Sequence, residues 1–209
     1  HWAFFTPTVL TSKLAEDGHP LNGNFLPLFD LPNRMWAGGR VNFHQPLHLG
    51  EKIERSSTIL RCERKKGRSG ELVFVTIQHE IFGEDGLALE EEQHIVYRNS
   101  LSKKAYPAGE LITSRADYRQ QYQPNPILLF RYSALTFNSH RIHYDQPYAT
   151  ENEGYPGLIV HGPLTATLLL NTFSEQNPGA RIGSFSFRAL SPMFVTQKFD
   201  LCGRIIKPG

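Results

Sequence analysis

Residues 130–149 read F-R-Y-S-A-L-T-F-N-S-H-R-I-H-Y-D-Q-P-Y-A, with two histidines, an asparagine and an aspartate between Asn138 and Asp145. An apolar run, Ile127 to Leu135, leads into this polar cluster. A second signature, G-L-I-V-H-G-P-L-T-A-T-L-L-L over 157–170, follows it. The apolar run is a buried strand or a short helix, since its periodicity fits both. Leu158 to Phe173 reads as a helix. Pro163 stands where a first turn tolerates proline, and Leu164, Leu168 and Leu169 fall at helical spacing. Asn177-Pro178-Gly179 ends it.

Working outward, residues 1–33 are rich in Pro, Gly and Asn and read as loop, with one apolar anchor at Trp2 to Phe5. The pattern turns strand-like from Met35. Ile53 to Cys62, Leu72 to Phe82 and Leu87 to Tyr97 follow as strands, which predicts a four-stranded antiparallel meander. Arg64 to Gly70 is a basic hairpin turn whose charges face water. Asn99 to Pro126 is a polar connector carrying the domain boundary and a short helix over Ser114 to Gln121, with Ser114 as N-cap. Ile182 to Leu190 and Phe194 to Ile206 are strands again. Arg40 to Phe43 and Ser184 to Phe187 echo one another, each followed by a proline bend, which suits two similar halves. The class is α+β, with halves at 1–110 and 111–209.

His143 is the residue best suited to proton chemistry, because a neutral imidazole takes and returns protons near pH 7. Asn138 stands five residues before it. Its amide can orient a water molecule but cannot accept a proton. Asp145, two residues on, suits a loop-fixing role through backbone N–H groups. The alternatives are loop histidines with satisfied hydrogen bonds, and a metal site of His140, His143 and Asp145 whose ligand types suit zinc or iron at weakly specific spacing. The expectation is no metal. His161-Gly162-Pro163 opens the long helix, where unpaired N–H groups and the helix dipole favour negative charge. Pro163 has no N–H, so Gly162 is the donor, unless Gly and Pro serve shape alone.

Composition is ordinary for a globular protein, at 40% hydrophobic and 20% charged residues. A net charge of +2 gives no pull toward nucleic acid. Cys62 and Cys202 form no disulfide framework, no run reaches membrane-spanning length, and the expected compartment is the cytoplasm. The chain opens on His1 without an initiator Met and stops at Gly209 after a strand-like run, so residues missing at its ends are expected.

Tyr132 to Ala149 resembles the Y-x-x-L-S-G-D-x-N-P-x-H-x-D-P-x-F-A signature of the MaoC-like, R-specific enoyl-thioester hydratases. Val160-His-Gly-Pro-Leu164 resembles the family's V-H-G-M-L, and Phe187 to Val195 its F-x-x-P-V-x-x-G-D turn. The resemblance implies a double hotdog, antiparallel sheets each wrapped around a central helix, with the helix reduced or missing in the first half. It makes His143 the catalytic histidine and the Gly162 N–H the donor to the thioester oxygen. The family's aspartate falls on Asn138 and its asparagine on His140. The F-N-x-H-R-I-H-Y-D variant is similar to the subgroup of mesaconyl- and itaconyl-CoA hydratases and mitochondrial 3-hydroxyacyl-thioester dehydratases.

The implied reaction is hydration of an enoyl-CoA, with coenzyme A arriving on the substrate, no other cofactor, and a homodimer left open. A fatty-acid dehydratase and an inactive thioester binder are the alternatives. His140, Tyr144 and His161 are expected at the substrate. Arg40, alternating with Asn42 and His44 on one strand face, is expected to bind a distal carboxylate if that face meets the pocket, and to be ordinary polar surface if it meets solvent.

Overall fold

Dense β-branched and aromatic residues make 70–98 the centre of a five-stranded antiparallel sheet. The computed structural model describes residues 1–206 apart from 7, 22, 24, 68, 69 and 100–114. The strands are β1 (Asn33–Phe43), β2 (Glu54–Gly67), β3 (Gly70–Gly83), β4 (Gly86–Arg98) and β6 (Ser184–Arg188), in the order β2-β3-β4-β1-β6. Period-two alternation sends Val41, Val73, Val75, Ile77, Ile81 and Ile95 to buried positions, each 3% exposed or less. Full burial of such a side chain contributes roughly 1.5–3 kcal/mol.

Three expectations are corrected here. The meander covers β2 to β4 only, because β1 pairs with β4 across Val41↔Glu91 rather than with β2. The basic hairpin is shorter than read, since Arg64 to Gly67 extend β2 and Arg64 pairs with Glu71 and Asp30. The two echoing segments are neighbours in one sheet, Arg40 opposite Ser186 and Val41 opposite Phe185.

The chain divides into two compact units that interleave in sequence. One is His1–Asn24, Leu101–Ala180 and Ser191–Gly209; the other is Phe25–Ser100 and Arg181–Leu190. Sequential halves at 1–110 and 111–209 differ from this division because β6 pairs with β1 in the sheet unit.

The first unit holds β5 (Tyr118–Tyr122), α1 (Pro126–Thr136), α2 (Gly162–Gln176) and β7 (Phe199–Gly203). Residues 118–121, expected in a short helix, are strand instead, paired to β7 with Arg119 on Asp200 at 2.9 Å; Ser114 lies outside the described residues. The ambiguous apolar run is helix α1. Asn125 caps it by accepting from the Leu128 N–H at 2.9 Å, and Pro126 fits its first turn. Phe137 ends it in the left-handed region, at φ 50°, and the Asn138 N–H closes back on the Ser133 carbonyl at 2.8 Å. Leu129, Ile142, Tyr148, Leu158, Val160, Leu164 and Phe194 form this unit's core.

Candidate active site

The left-handed turn at Phe137 reverses the chain after α1 and starts the 138–145 loop. Asn138 Oδ1 accepts from the His140 N–H at 3.1 Å, an Asx turn that shapes the loop and occupies one of the amide's lone pairs. A short 3-10 turn over Arg141–His143 then directs His143 inward, leaving it 7% exposed. Asp145 locks the far side, accepting from Arg141 Nε and Nη2 at 3.0 and 2.9 Å and from the Tyr148 N–H at 3.1 Å. The Tyr148 N–H first, and Arg141 second, hold its carboxyl below the usual carboxylate range. Asp145 is thus spent on the loop, and the metal set His140–His143–Asp145 is not assembled.

His143 Nδ1 lies 2.8 Å from the Ile159 carbonyl. A carbonyl only accepts, so Nδ1 carries the proton and Nε2 presents the lone pair. Burial pushes the pKa down to about 4, against the Ile159 bond, which raises it; His19 adds a further lowering. The imidazole is therefore a neutral base at pH 7.

His161, the residue before α2, is fully buried and stacks on His143 with ring centroids 3.6 Å apart. Its Nε2 meets Ser133 Oγ of α1 at 2.8 Å, and Tyr132 packs edge-on at 4.9 Å. Its Nδ1 is buried with no hydrogen-bond partner among the described residues. Burial, then the neighbouring His143, lowers its pKa to about 2. Ser133, a residue without a nucleophile motif, is thus the anchor that fixes His161. Gly162 follows directly as the first residue of α2, whose start has no side-chain cap. Its N–H therefore stands beside the residue stacked on His143, at the positive end of the helix dipole.

His140 is 7% exposed and meets His143 edge-to-face at 5.4 Å. Tyr144 is 45% exposed, and its hydroxyl donates to the Ser139 carbonyl at 2.9 Å, which ties it to the loop. Asn138, His140, His143, Tyr144, His161 and Gly162 all belong to one unit.

Arg40 lies on the sheet unit, itself exposed, in register with Glu92 and lining a shallow polar depression with Asn42, Glu90 and Glu91. Glu90 also holds His44 at 2.8 Å. The neighbouring carboxylates put negative charge around Arg40.

Sequence reasoning missed the N-terminal segment. Asp17, His19 and His140 bring one ligand-type atom each within 4.8 Å of one another. The His19 and His140 rings contact at 4.1 Å between centroids. The two rings pack against one another. The D-G-H triplet at 17–19, an acid and an imidazole around a turn residue, was the available signal.

The family described as hydroxyacyl-thioester dehydratase type 2 matches residues 1–195. The mesaconyl-C(4)-CoA hydratase of Chloroflexus aurantiacus is 45% identical over 98% of this chain and 73% of its own length. The mitochondrial hydroxyacyl-thioester dehydratase type 2 of Schizosaccharomyces pombe is 32% identical over 97% of this chain and 75% of its own. A MaoC-like dehydratase structure superposes with TM-score 0.64 at 17% identity, over 81% of this chain and 65% of that one. A Mycobacterium tuberculosis protein with a double hotdog fold gives TM-score 0.51 at 13% identity, over 78% of this chain and 60% of that one. The chain thus spans less than two thirds of these solved structures. The fold is the MaoC-like hotdog, α+β as the pattern of strands and helices implied. Among the described residues no helix is long and apolar enough to cross a membrane. A neutral, buried histidine beside a helix N-terminus, on this fold and with these relatives, makes the chain a member of the hydroxyacyl-thioester dehydratase type 2 family of hydro-lyases.

Proposed function

We propose that this chain hydrates a short enoyl-CoA carrying a second carboxylate, of the mesaconyl or itaconyl kind, to a citramalyl-CoA. The single observation that carries the chemistry is His143, neutral, with Nδ1 tied to Ile159 and Nε2 left as the base. Water positioned by the Asn138 amide gives its proton to His143 Nε2 as its oxygen bonds to the β-carbon. Charge moves onto the thioester oxygen as an enolate. The Gly162 N–H and the α2 dipole stabilise that charge, an interaction worth about 3 kcal/mol in comparable sites. A proton is then delivered to the α-carbon, completing syn addition. Coenzyme A enters as part of the substrate and no resident cofactor is required.

The acyl preference rests on the 45% identical mesaconyl-C(4)-CoA hydratase. The family description favours a second reading, the same site run backwards as a 3-hydroxyacyl-thioester dehydratase of fatty-acid synthesis. Comparing kcat/KM for mesaconyl-, itaconyl-, crotonyl- and octenoyl-CoA separates them. The proposal expects a dicarboxylic substrate to lead by tenfold or more, roughly the discrimination one pocket contact provides. Equal or better turnover of octenoyl-CoA rejects the dicarboxylate and favours the dehydratase, and an accompanying preference for carrier-protein thioesters would secure it.

A further inference from the structure

An imidazole backed by a carboxylate, contributed by the N-terminal segment, lies against the histidine row of the site. Asp17 Oδ1 accepts the His19 backbone N–H and Oδ2 contacts His19 Nδ1, both at 2.9 Å. A carboxylate only accepts, so His19 Nδ1 carries a proton and the working nitrogen is Nε2, as in other carboxylate-oriented histidines. His19 packs on His140 at 4.1 Å, and His140 meets His143 at 5.4 Å. His143 in turn stacks on His161 at 3.6 Å.

The segment is docked for this purpose at several points. The Arg141 N–H donates to the Asp17 carbonyl at 2.8 Å, and Arg141 Nη1 to the Glu16 carbonyl at 3.1 Å. Ser139 Oγ donates to the Gly18 carbonyl. Gly18 has φ +90°, and a Cβ there would stand 1.8 Å from the Ser139 oxygen, so only glycine lets the two loops close to this distance.

We propose that Asp17 and His19 form the second proton-exchanging pair of the site, supplying the acid that Asn138 cannot be. Resting on the hydratase reading, the cycle balances as follows. His143 Nε2 takes one proton from water while hydroxyl bonds to the β-carbon. Protonated His19 gives a proton from Nε2 to the α-carbon. Between turnovers His143 releases its proton and His19, whose side chain is 20% exposed, regains one from solvent. The charged and titratable groups around His19 are Asp17 and Glu16 on its own segment, His140, Arg141 and His143 on the facing loop, and Tyr148 beyond them.

The test is the pH profile of hydration by wild type, His19→Gln and Asp17→Asn, each checked for folding by its melting temperature. In wild type, His19 acting as an acid gives an alkaline limb. His19→Gln should lower kcat by about tenfold to a hundredfold, the scale of a general acid. KM should change by less than about threefold and the alkaline limb should vanish. Asp17→Asn should move that limb to lower pH, because the carboxylate no longer favours the imidazolium. If His19→Gln does not fold, the Asp17→Asn shift decides alone. A His19→Gln enzyme with wild-type kcat and both limbs intact, or an Asp17→Asn limb that does not move, overturns the pair. When His143→Ala is inactive and His19→Gln is not, the pair falls and the hydratase reading stands. When wild type hydrates none of the enoyl-CoAs, both fall together.

Discussion

His143 and His161 are two buried, stacked imidazoles, and neither can be protonated there cheaply. Burial is the leading cause in both, taking His143 from the usual 6.5 to about 4 and His161 to about 2. The sign of the consequence follows from linkage. In the unfolded chain both take up protons below about pH 6.5. In the folded chain they do not until much lower pH. The unfolded state therefore binds more protons across this window, and stability rises with pH. The stabilisation is complete above the unfolded value and is lost as pH falls through it toward about 4. A series of thermal melts from pH 7.5 to 4 should show a falling melting temperature, and His161→Phe should flatten that fall. A melting temperature that holds steady over the whole range would show that these imidazoles are not buried neutral. Activity carries the same signature, since His143 works as a neutral base. On the acid side kcat/KM should decline only as pH approaches about 4, while the alkaline limb belongs to His19.

At the scale of elements, a buried polar bridge ties α1 to the residue that opens α2, Ser133 Oγ to His161 Nε2 at 2.8 Å. His161 Nδ1 already has no partner among the described residues, so Ser133→Ala leaves the ring without either bond. Urea unfolding should show a loss of about 1–3 kcal/mol, the cost of orphaning a buried polar group. A loss below about 0.5 kcal/mol would mean that water replaces the hydroxyl. Gly18→Ala tests the other junction. Its Cβ collides with the Ser139 carbonyl backbone at a φ that L residues avoid, so the 1–24 segment should undock locally. Limited proteolysis near residue 18 should accelerate and hydration should drop. Unchanged cleavage and activity would contradict the docking.

These elements also show what the sequence could and could not reveal. α1 was legible once Asn125-Pro126 is counted, because a capping residue followed by proline breaks the tie that periodicity leaves. β5 was not, because its polar residues become a strand only by pairing with β7, some eighty residues on. The place of β1 beside β4 was hidden in the same way, since strand order depends on crossovers that local pattern does not encode. The site divides along the same line. Asn138, His140, His143, His161 and Gly162 lie in two compact motifs and were readable. Asp17 and His19 reach the loop across a separation of 121 residues between Gly18 and Ser139, and the loop-like composition of 1–33 gave no sign of it. Arg40 marks a limit of local pattern. Alternation correctly put Arg40, Asn42 and His44 on one face, but a period of two does not say which face is buried.

For the molecule as a whole, the turn at Asp17 to His19, the 138–145 loop and the start of α2 converge on one row of imidazoles in one unit. The hydro-lyase family and the relatives supply the reaction class, and the row supplies the proton chemistry. Removal of the water proton falls to one atom, His143 Nε2, because the Asn138 amide can place water but cannot deprotonate it. The most direct test is the rate of enoyl-thioester absorbance loss with mesaconyl- or crotonyl-CoA for wild type against purified His143→Ala, with folding verified by circular dichroism. A fall in kcat of about a hundredfold or more is expected, the usual scale for losing a general acid–base group. A folded His143→Ala enzyme keeping more than about a tenth of wild-type activity would contradict the assignment, because no general base contributes so little.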